Sequence, residues 1–279
     1  SNGEIKVEVY PDNQLGNERD VIEGMQLGTV EMAMTSVAPF SSFVPSVNIF
    51  CLPFLWRDKE HMYSVLDSDE IGMSYSGDCE EKGFHLMGFL DLGTRHIMTT
   101  QKTINSIEDL KNLKIRTMEN SYHMAYWKAL GASPTPMTFS EVYIGLQQGT
   151  IDAQENPYEV IVSNKLYEQQ DYVVETNHLP HLISLIVSDE FFEGLTGEQQ
   201  EIIREAAETA KEYAREQSDE RIASRTQTIE ESGTQIISLN DEMHEQIREL
   251  CKPVYESIEK NVSEDLVDAY LGDMKGVIE

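Results

Sequence analysis

The stretch Leu113-Lys114-Ile115-Arg116-Thr117-Met118 predicts a short strand with one arginine near its end. It is followed further along the chain by Gln154-Glu155-Asn156-Pro157, a second polar segment beside an apolar one. A guanidinium at the exit of a strand can face a cleft. Its planar fork suits a carboxylate, which accepts two parallel hydrogen bonds from it. Because the chain is otherwise strongly acidic, a cation in this position is a candidate ligand anchor.

Outward from that strand, predicted strands alternate with helices. Ile5, Val7 and Val9 alternate with charged residues, which predicts a half-buried strand. The other predicted strands are 30–35, 84–91, 95–100, 113–118, 171–176, 182–188 and 236–237. This alternation predicts an α/β fold with largely parallel sheets.

Helix starts are marked by capping residues. The predicted helices begin at Asn17, Asp58, Ser106, Asn120, Thr138, Thr196 and Asn240. The helix from Thr196 reaches about Glu231, which makes it roughly 50 Å long at 1.5 Å per residue. A helix of that length is too long for one ordinary domain, so it is predicted to span two.

The length of 279 residues also favours two domains. No flexible linker separates them, so the chain is expected to cross between domains on strands. We place the first domain at 1–93 plus 182–221 and the second at 94–181 plus 222–279. The N-terminus starts directly in the first predicted strand, which suggests a processed or truncated beginning.

Composition narrows the class of partner. The chain has 21 basic and 50 acidic residues, a net charge of −29, which argues against nucleic acid and anionic membranes. No apolar run approaches the roughly 20 residues that span a bilayer, and no signal peptide is recognised. Three cysteines without close spacing predict neither a disulfide framework nor a zinc site. We expect a monomer that does not insert into a membrane.

Motifs of catalysis are missing. The chain has no phosphate-binding glycine loop and no nucleophile elbow, and we expect no cofactor and no metal. His178-Leu179-Pro180-His181 could pair two imidazoles, but the proline forbids helical spacing. Asp152 or Glu155 could act as an acid–base group, which leaves an enzyme open as an alternative. We predict that the protein is not an enzyme.

The candidate binding residues also have structural interpretations. Arg95 and Arg116, both on apolar strands, could each form an internal salt bridge instead of contacting a ligand. Asn156 before Pro157 could be a helix cap, since proline is common at the first helical position. Phe139 could belong to the core.

Short motifs in a fixed order run along nearly the whole chain. They are Val9-Tyr10-Pro11 with Gln14-Leu15-Gly16, Leu52-Pro53-Phe54, Gly93-Thr94-Arg95, Asp109-Leu110-Lys111-Asn112-Leu113-Lys114-Ile115-Arg116, Gly131-Ala132-Ser133-Pro134-Thr135-Pro136-Met137, Phe139-Ser140-Glu141-Val142-Tyr143, Leu146-Gln147 and Asp152-Ala153-Gln154-Glu155-Asn156-Pro157. In this order they resemble the extracytoplasmic solute-binding proteins of TRAP transporters, the DctP-type family.

The resemblance implies a Venus-flytrap architecture, in which two α/β domains close around a small organic acid. The connecting strands and the long helix would form the hinge. It also implies a location outside the cytoplasmic membrane, in the periplasm or on a lipid anchor, and delivery of the ligand to the membrane subunits of a TRAP transporter. Family members are usually longer at the N-terminus by one strand and one helix, which this chain would lack.

The resemblance carries over to particular residues. Arg116 matches the arginine that forms a bidentate salt bridge with the ligand carboxylate, and Arg95 matches a second arginine that supports it. Asn156 matches an asparagine that hydrogen-bonds the ligand, and Phe139 an aromatic wall. Glu18 matches an acidic position that reaches ligand hydroxyls.

The polar residues around the expected cleft narrow the ligand. Sialic-acid members carry Glu and Arg where this chain has Ser36 and Pro39, so sialic acid is not expected. Ser36 itself is a candidate ligand-binding residue. Because unpaired buried polar groups are costly, hydroxyl-directed side chains favour an acid that bears hydroxyls, a hexuronate such as glucuronate or galacturonate. A C4-dicarboxylate, another sugar acid or a sensory ligand-binding domain remain alternatives. The hydroxyl-directed candidates are Glu18, Asn120, His123, Asn156 and His181.

Overall fold

The computed structural model describes residues 1–258, apart from the side chains of 69–74, and confirms the α/β class. Its strands are β1 Met32–Ser36, β2 Phe84–Thr99, β3 Lys114–Thr117, β4 Ser133–Pro136, β5 Ala153–Asn156, β6 Tyr172–Ser188 and β7 Gln235–Ser238. Its helices are α1 Glu18–Gln26, α2 Val37–Phe40, α3 Lys59–Leu66, α4 Asp69–Glu80, α5 Ser121–Ala129, α6 Phe139–Gln147, α7 Tyr158–Ser163, α8 Asp189–Glu193, α9 Gly197–Glu231 and α10 Asp241–Ile258. Short 3₁₀ helices cover Pro45–Cys51, Ile107–Leu110 and Leu166–Glu168.

The described strands form one seven-stranded sheet in the order β1-β6-β2-β5-β3-β4, with β7 on β6. The prediction of largely parallel sheets is wrong. β2 pairs with β6 antiparallel from Phe84 opposite Ser188 to Thr99 opposite Tyr172. β1 also pairs antiparallel with β6, and β5 pairs antiparallel with β2. Among the described strands, parallel pairing is confined to β3 with β4, β3 with β5, and β6 with β7.

Two long strands replace four predicted ones. β2 covers the predicted strands 84–91 and 95–100, and β6 covers 171–176 and 182–188. The β2–β6 register shifts between Asp91 and Thr94, where Gly93 has φ +94°. A bulge of this kind bends a strand without ending it, and a glycine adopts the positive φ without steric cost. The chain therefore crosses the molecule on continuous strands.

The predicted strand at 5–9 is absent from the structure. Val7 and Val9 are 67% and 78% exposed and pair with no described strand. Alternating apolar residues form a strand only when a neighbouring strand receives their backbone groups, and no described strand pairs with this segment. The helix predicted from Asp58 is two helices, α3 and α4.

The hydrophobic core is divided along the long strands. One cluster gathers Ile22, Phe40 and Phe50 around the start of β2. Other clusters gather Trp127 and Val142 around the far end of β2 and the start of β6. The 35-residue helix α9 begins at the Thr196 cap, as predicted, and buries Ala207 beside Leu90 and Leu185 and buries Ile229 in the Val142 cluster. The domain boundaries stay a prediction, and their last part, 259–279, lies outside the described residues.

Candidate functional site

A cavity of about 260 Å³ opens between α1, the β1–α2 junction, β3, α6 and β5. Most of the predicted ligand-binding residues lie in its wall. These are Glu18, Ser36, Arg116, Phe139, Asn156 and His181. Residues far apart in the sequence therefore meet at one concave surface, as in most small-molecule sites.

Arg116, on β3, is the buried arginine of this wall and is only 3% exposed. Its Nε and Nη2 donate to the carbonyl oxygen of Met137 at 3.0 and 2.8 Å, and its Cζ lies 5.7 Å from the Phe139 ring centroid. Within residues 1–258, no carboxylate lies within 4.0 Å of this guanidinium. Burial, followed by repulsion from Arg95, lowers the pKa of Arg116 to about 10, so it stays charged at neutral pH. The Met137 carbonyl fixes one side of the fork and leaves Nη1 free to receive an anion.

Other polar groups of the cavity wall offer acceptors. The Oε1 atom of Glu18, at the start of α1, accepts the backbone N–H of Ser36 at 2.5 Å. The Nδ2 atom of Asn156 donates to Gln154 Oε1 at 2.6 Å, and no described group occupies its Oδ1. A carboxylate oxygen and an amide oxygen can both accept from ligand hydroxyls.

Arg95 lies behind the cavity wall and is fully buried. Its Nε donates to Glu155 Oε2 at 2.5 Å and its Nη2 to Glu155 Oε1 at 2.9 Å. Burial opposes the charge of Glu155, but Arg95 and His178 together hold the pKa of this carboxyl well below its ordinary value. The charge of Arg95 is thus neutralised inside the protein, and its contact with a ligand stays a prediction.

His181 connects Arg95 with the cavity. The Nη1 atom of Arg95 contacts His181 Nδ1, and a guanidinium can only donate, so Nδ1 accepts and the imidazole proton resides on Nε2. Burial and the nearby Arg95 hold the pKa of His181 well below its ordinary value, which keeps the ring neutral. His181 therefore offers an N–H donor from Nε2 while its other nitrogen is engaged.

Asn120 and His123 are buried but do not line the cavity. The Oδ1 atom of Asn120 caps α5 by accepting from Tyr122 N at 2.8 Å, and its Nδ2 donates to Ser41 Oγ at 3.0 Å. His123 Nε2 has no hydrogen-bond partner among the described residues, and burial lowers the pKa of this histidine to about 3. The ligand-binding roles given to these two residues stay predictions.

The residues that the sequence offered for a metal pair or for acid–base catalysis bond to other groups of the protein. His178 Nε2 lies 3.1 Å from Glu155 Oε2, so this histidine belongs to the Arg95 network. Glu155 is ion-paired, and Asp152 Oδ2 accepts from the backbone N–H of Lys114 at 3.3 Å. Neither carboxyl lines the cavity.

Sequence reasoning missed several polar residues of the wall, among them Asn13, Asn17 and Asn164. Asn17 was recognised only as the cap of α1, where its side chain does accept from Asp20 N at 3.1 Å. The other two lie in turns that local sequence does not associate with a cleft.

Comparison with known protein families shows to which class of protein the chain belongs. The bacterial extracellular solute-binding proteins, family 7 (DctP), match residues 1–261, and the chain belongs to this family of TRAP transporter solute-binding proteins. Among residues 1–258, no helix has the length and apolar character needed to cross a membrane.

Individual relatives agree with the family. The 2,3-diketo-L-gulonate-binding periplasmic protein YiaO of Escherichia coli K12 is 32% identical over 254 residues, which cover 89% of this chain and 77% of that protein. A TRAP periplasmic solute-binding protein from Polaromonas sp. JS666 bound to D-erythronate superposes with a TM-score of 0.90 at 34% identity, covering 95% of this chain and 86% of that one. Another from Sulfitobacter sp. NAS-14.1 with bound β-D-galacturonate has a TM-score of 0.91 at 32% identity, covering 96% and 89%.

Proposed function

We propose that this protein binds a hexuronate, such as glucuronate or galacturonate, in the cavity beside Arg116 and delivers it to TRAP transporter membrane subunits. The observation that carries the proposal is the buried Arg116 guanidinium, which no carboxylate of residues 1–258 neutralises. A buried charge without a partner is costly, and a ligand carboxylate would remove that cost. The sugar-acid complexes of structurally similar family members support the same ligand class.

The rest of the wall favours a hydroxylated acid with one carboxylate. Arg95 is already neutralised by Glu155, so it supplies no second free cation. Glu18 and Glu119 also line the cavity and would repel a second ligand carboxylate. By contrast, Glu18 and the Asn156 Oδ1 would accept hydroxyl protons, and His181 Nε2–H would donate to a ring or hydroxyl oxygen. A cavity of about 260 Å³ suits a small acid, because pockets for drug-sized ligands measure about 300–1,000 Å³.

One observation favours a C4-dicarboxylate as the second candidate. Arg19 also lines the cavity and could receive a second carboxylate. Its Nε is already paired with Glu23 Oε1 at 2.9 Å, and both side chains are about half exposed. Solvent weakens such a pair, so Arg19 is the weaker attraction.

The proposal includes closure of two domains over the ligand. We place them at 1–93 plus 182–221 and at 94–181 plus 222–279. The bulge between Asp91 and Thr94 lies at this boundary and supports it, because register breaks are places where long strands bend. Extracytoplasmic location, in the periplasm or on a lipid anchor, follows from the proposed transport role and is supported by the periplasmic relative.

Calorimetric titration tests the ligand. D-glucuronate and D-galacturonate are compared with galactonate, succinate and D-glucuronamide, the uncharged amide of glucuronate. We expect uronates to bind tightest and the amide to lose at least about 30-fold in affinity, because it leaves Arg116 unpaired. Tighter binding of succinate would favour the dicarboxylate alternative. If no acid binds below about 1 mM, the proposed function is wrong.

An uptake assay separates transport from sensing. Loss of uptake when either this gene or the membrane-subunit genes are deleted would support transport.

A further inference from the structure

A group of side chains that could coordinate a metal ion lies outside the cavity beside Arg116. It consists of His85 on β2 with Asp189 and Glu193 on α8, and we call it the His85 cluster. His85 Nε2 lies 2.9 Å from Asp189 Oδ1 and 3.5 Å from Glu193 Oε1. All three ligand atoms lie within 4.8 Å of one another. None of these residues lines the cavity at Arg116.

The imidazole of this cluster is buried and unsatisfied. His85 is 7% exposed, and its Nε2 has no hydrogen-bond partner among the described residues. Asp189 Oδ1 is close enough for a hydrogen bond but is not aligned with the ring nitrogen. Ligands of a shared metal ion have this arrangement, because the ion lies on the axis of the nitrogen lone pair and the oxygens lie beside that axis.

The separations fit a small divalent ion. Zn²⁺ binds nitrogen and carboxylate oxygen at about 2.0–2.2 Å in tetrahedral geometry, which sets neighbouring ligand atoms about 3.3 Å apart. The distances of 2.9 and 3.5 Å from His85 Nε2 lie on either side of that value. From this geometry we propose that the His85 cluster binds a divalent transition-metal ion of the Zn²⁺ type.

Charge and surroundings support the assignment. The carboxylates of Asp189 and Glu193 would balance the two charges of the ion, with His85 as a neutral ligand. Glu80 Oε1 lies 3.6 Å from His85 Nδ1, on the opposite side of the ring. Metal-binding histidines commonly have a carboxylate in that outer position, which orients the ring. An imidazole ligand favours zinc, copper or nickel over calcium and magnesium, which prefer oxygen.

The histidine is held in place before any ion arrives. His85 pairs with Val187 in the sheet, and its ring centroid lies 4.4 Å from that of Phe192. Asp189 and Glu193 are partly exposed, so an ion can reach the cluster from solvent. Water would complete the coordination. The ion would tie α8 to β2 and thereby stabilise the fold.

The first experiment uses untagged protein stripped with EDTA and titrated with ZnCl₂. We expect saturable binding by calorimetry and a rise in the thermal midpoint, because an ion that binds only the folded state stabilises it. Asp189→Asn and Glu193→Gln preserve side-chain size and are each expected to weaken Zn²⁺ binding at least about 10-fold. Glu190→Gln, an exposed carboxylate on the same helix, is the matched control and is expected to bind like the unchanged protein.

The second experiment replaces Zn²⁺ with CoCl₂ and records visible absorption. Intense d–d bands of a four-coordinate ion that vanish in Asp189→Asn support the site. Circular dichroism of each variant establishes that it is folded, so lost binding is not lost structure. The proposal is overturned if neither ion binds, or if Asp189→Asn and Glu193→Gln bind as tightly as Glu190→Gln. Either result would identify the cluster as contacts of His85 with surface carboxylates and not as a metal site.

Discussion

Arg95 and Glu155 form a fully buried, bidentate salt bridge, with Nε to Oε2 at 2.5 Å and Nη2 to Oε1 at 2.9 Å. Arg116, the neighbouring guanidinium, has no such partner among residues 1–258. The two arginines, similar in sequence context, thus differ in their surroundings: the charge of Arg95 is paired with a buried carboxylate, and that of Arg116 has no carboxylate within 4.0 Å among the described residues.

Removing the Glu155 charge is expected to destabilise the protein. Glu155→Gln leaves Arg95 buried without a counter-charge, which costs about 3–5 kcal/mol in the free energy of unfolding. Urea denaturation measures this change in the free energy of unfolding. Glu23→Gln breaks an exposed helical pair with Arg19 and is expected to cost about 0.3–0.5 kcal/mol. Equal losses in the two variants would contradict the importance of the buried bridge.

Arg116 is expected to contribute to affinity and not to stability. Arg116→Ala should abolish most acid binding, a loss of about 2–5 kcal/mol by calorimetry, while the unfolding free energy stays equal or rises. Arg116→Lys keeps the charge but lacks the planar fork, so it should recover only part of the affinity. Arg204→Ala, an exposed arginine that does not line the cavity, is the control. A strongly destabilised Arg116→Ala would instead indicate a structural role.

Stability is expected to fall in mild acid. Burial lowers the pKa of His96 to about 4 and that of His123 to about 3, both below the ordinary 6.5. As the pH falls, the unfolded chain therefore binds these protons before the folded chain does. The contribution of the two neutral histidines to stability is complete above about pH 6.5 and is lost as the pH falls from there towards these values. Each histidine should cost about 1–2 kcal/mol between pH 7 and pH 5.

Thermal midpoints across this range test the assignment. His123→Gln should show a shallower decline with acid than the unchanged protein, whatever its midpoint at pH 7. His244→Gln, at a half-buried position on α10, should retain the full decline. Identical pH profiles for all three proteins would contradict the role of His123.

Asn120 is expected to support α5 without contacting the ligand. Asn120→Ala removes the cap and the Nδ2 donor and should cost about 2 kcal/mol or more of stability. Asn120→Asp keeps the capping oxygen and should retain part of it. Acid affinity, measured where the variants are folded, should change little. A large affinity loss in Asn120→Asp would instead support the ligand contact predicted from the sequence.

The cysteines are expected to be unreactive in the native protein. Cys51, Cys79 and Cys251 are buried, and burial raises the pKa of each thiol to about 12. Thiol titration with Ellman's reagent should therefore give almost no signal until denaturant is added. Rapid reaction of one thiol in buffer would show that its surroundings open.

Local signals predicted local structure well. The caps at Asn17 and Thr196 begin helices as predicted, because a capping side chain bonds the backbone two or three residues away. Strand pairing was harder, because hydrogen bonds in a sheet join distant segments. No local sequence pattern in residues 84–100 or 171–188 indicates that these segments pair antiparallel along their whole length.

The sequence by itself determined the α/β class, the long helix from Thr196, and a set of residues that includes the cavity-lining Arg116, Phe139 and Asn156. Only the tertiary structure decided what each charge does, because the energy of a buried charge depends on which groups surround it in space. It paired Arg95 with Glu155, left Arg116 without a carboxylate among the described residues, and brought His85 beside Asp189.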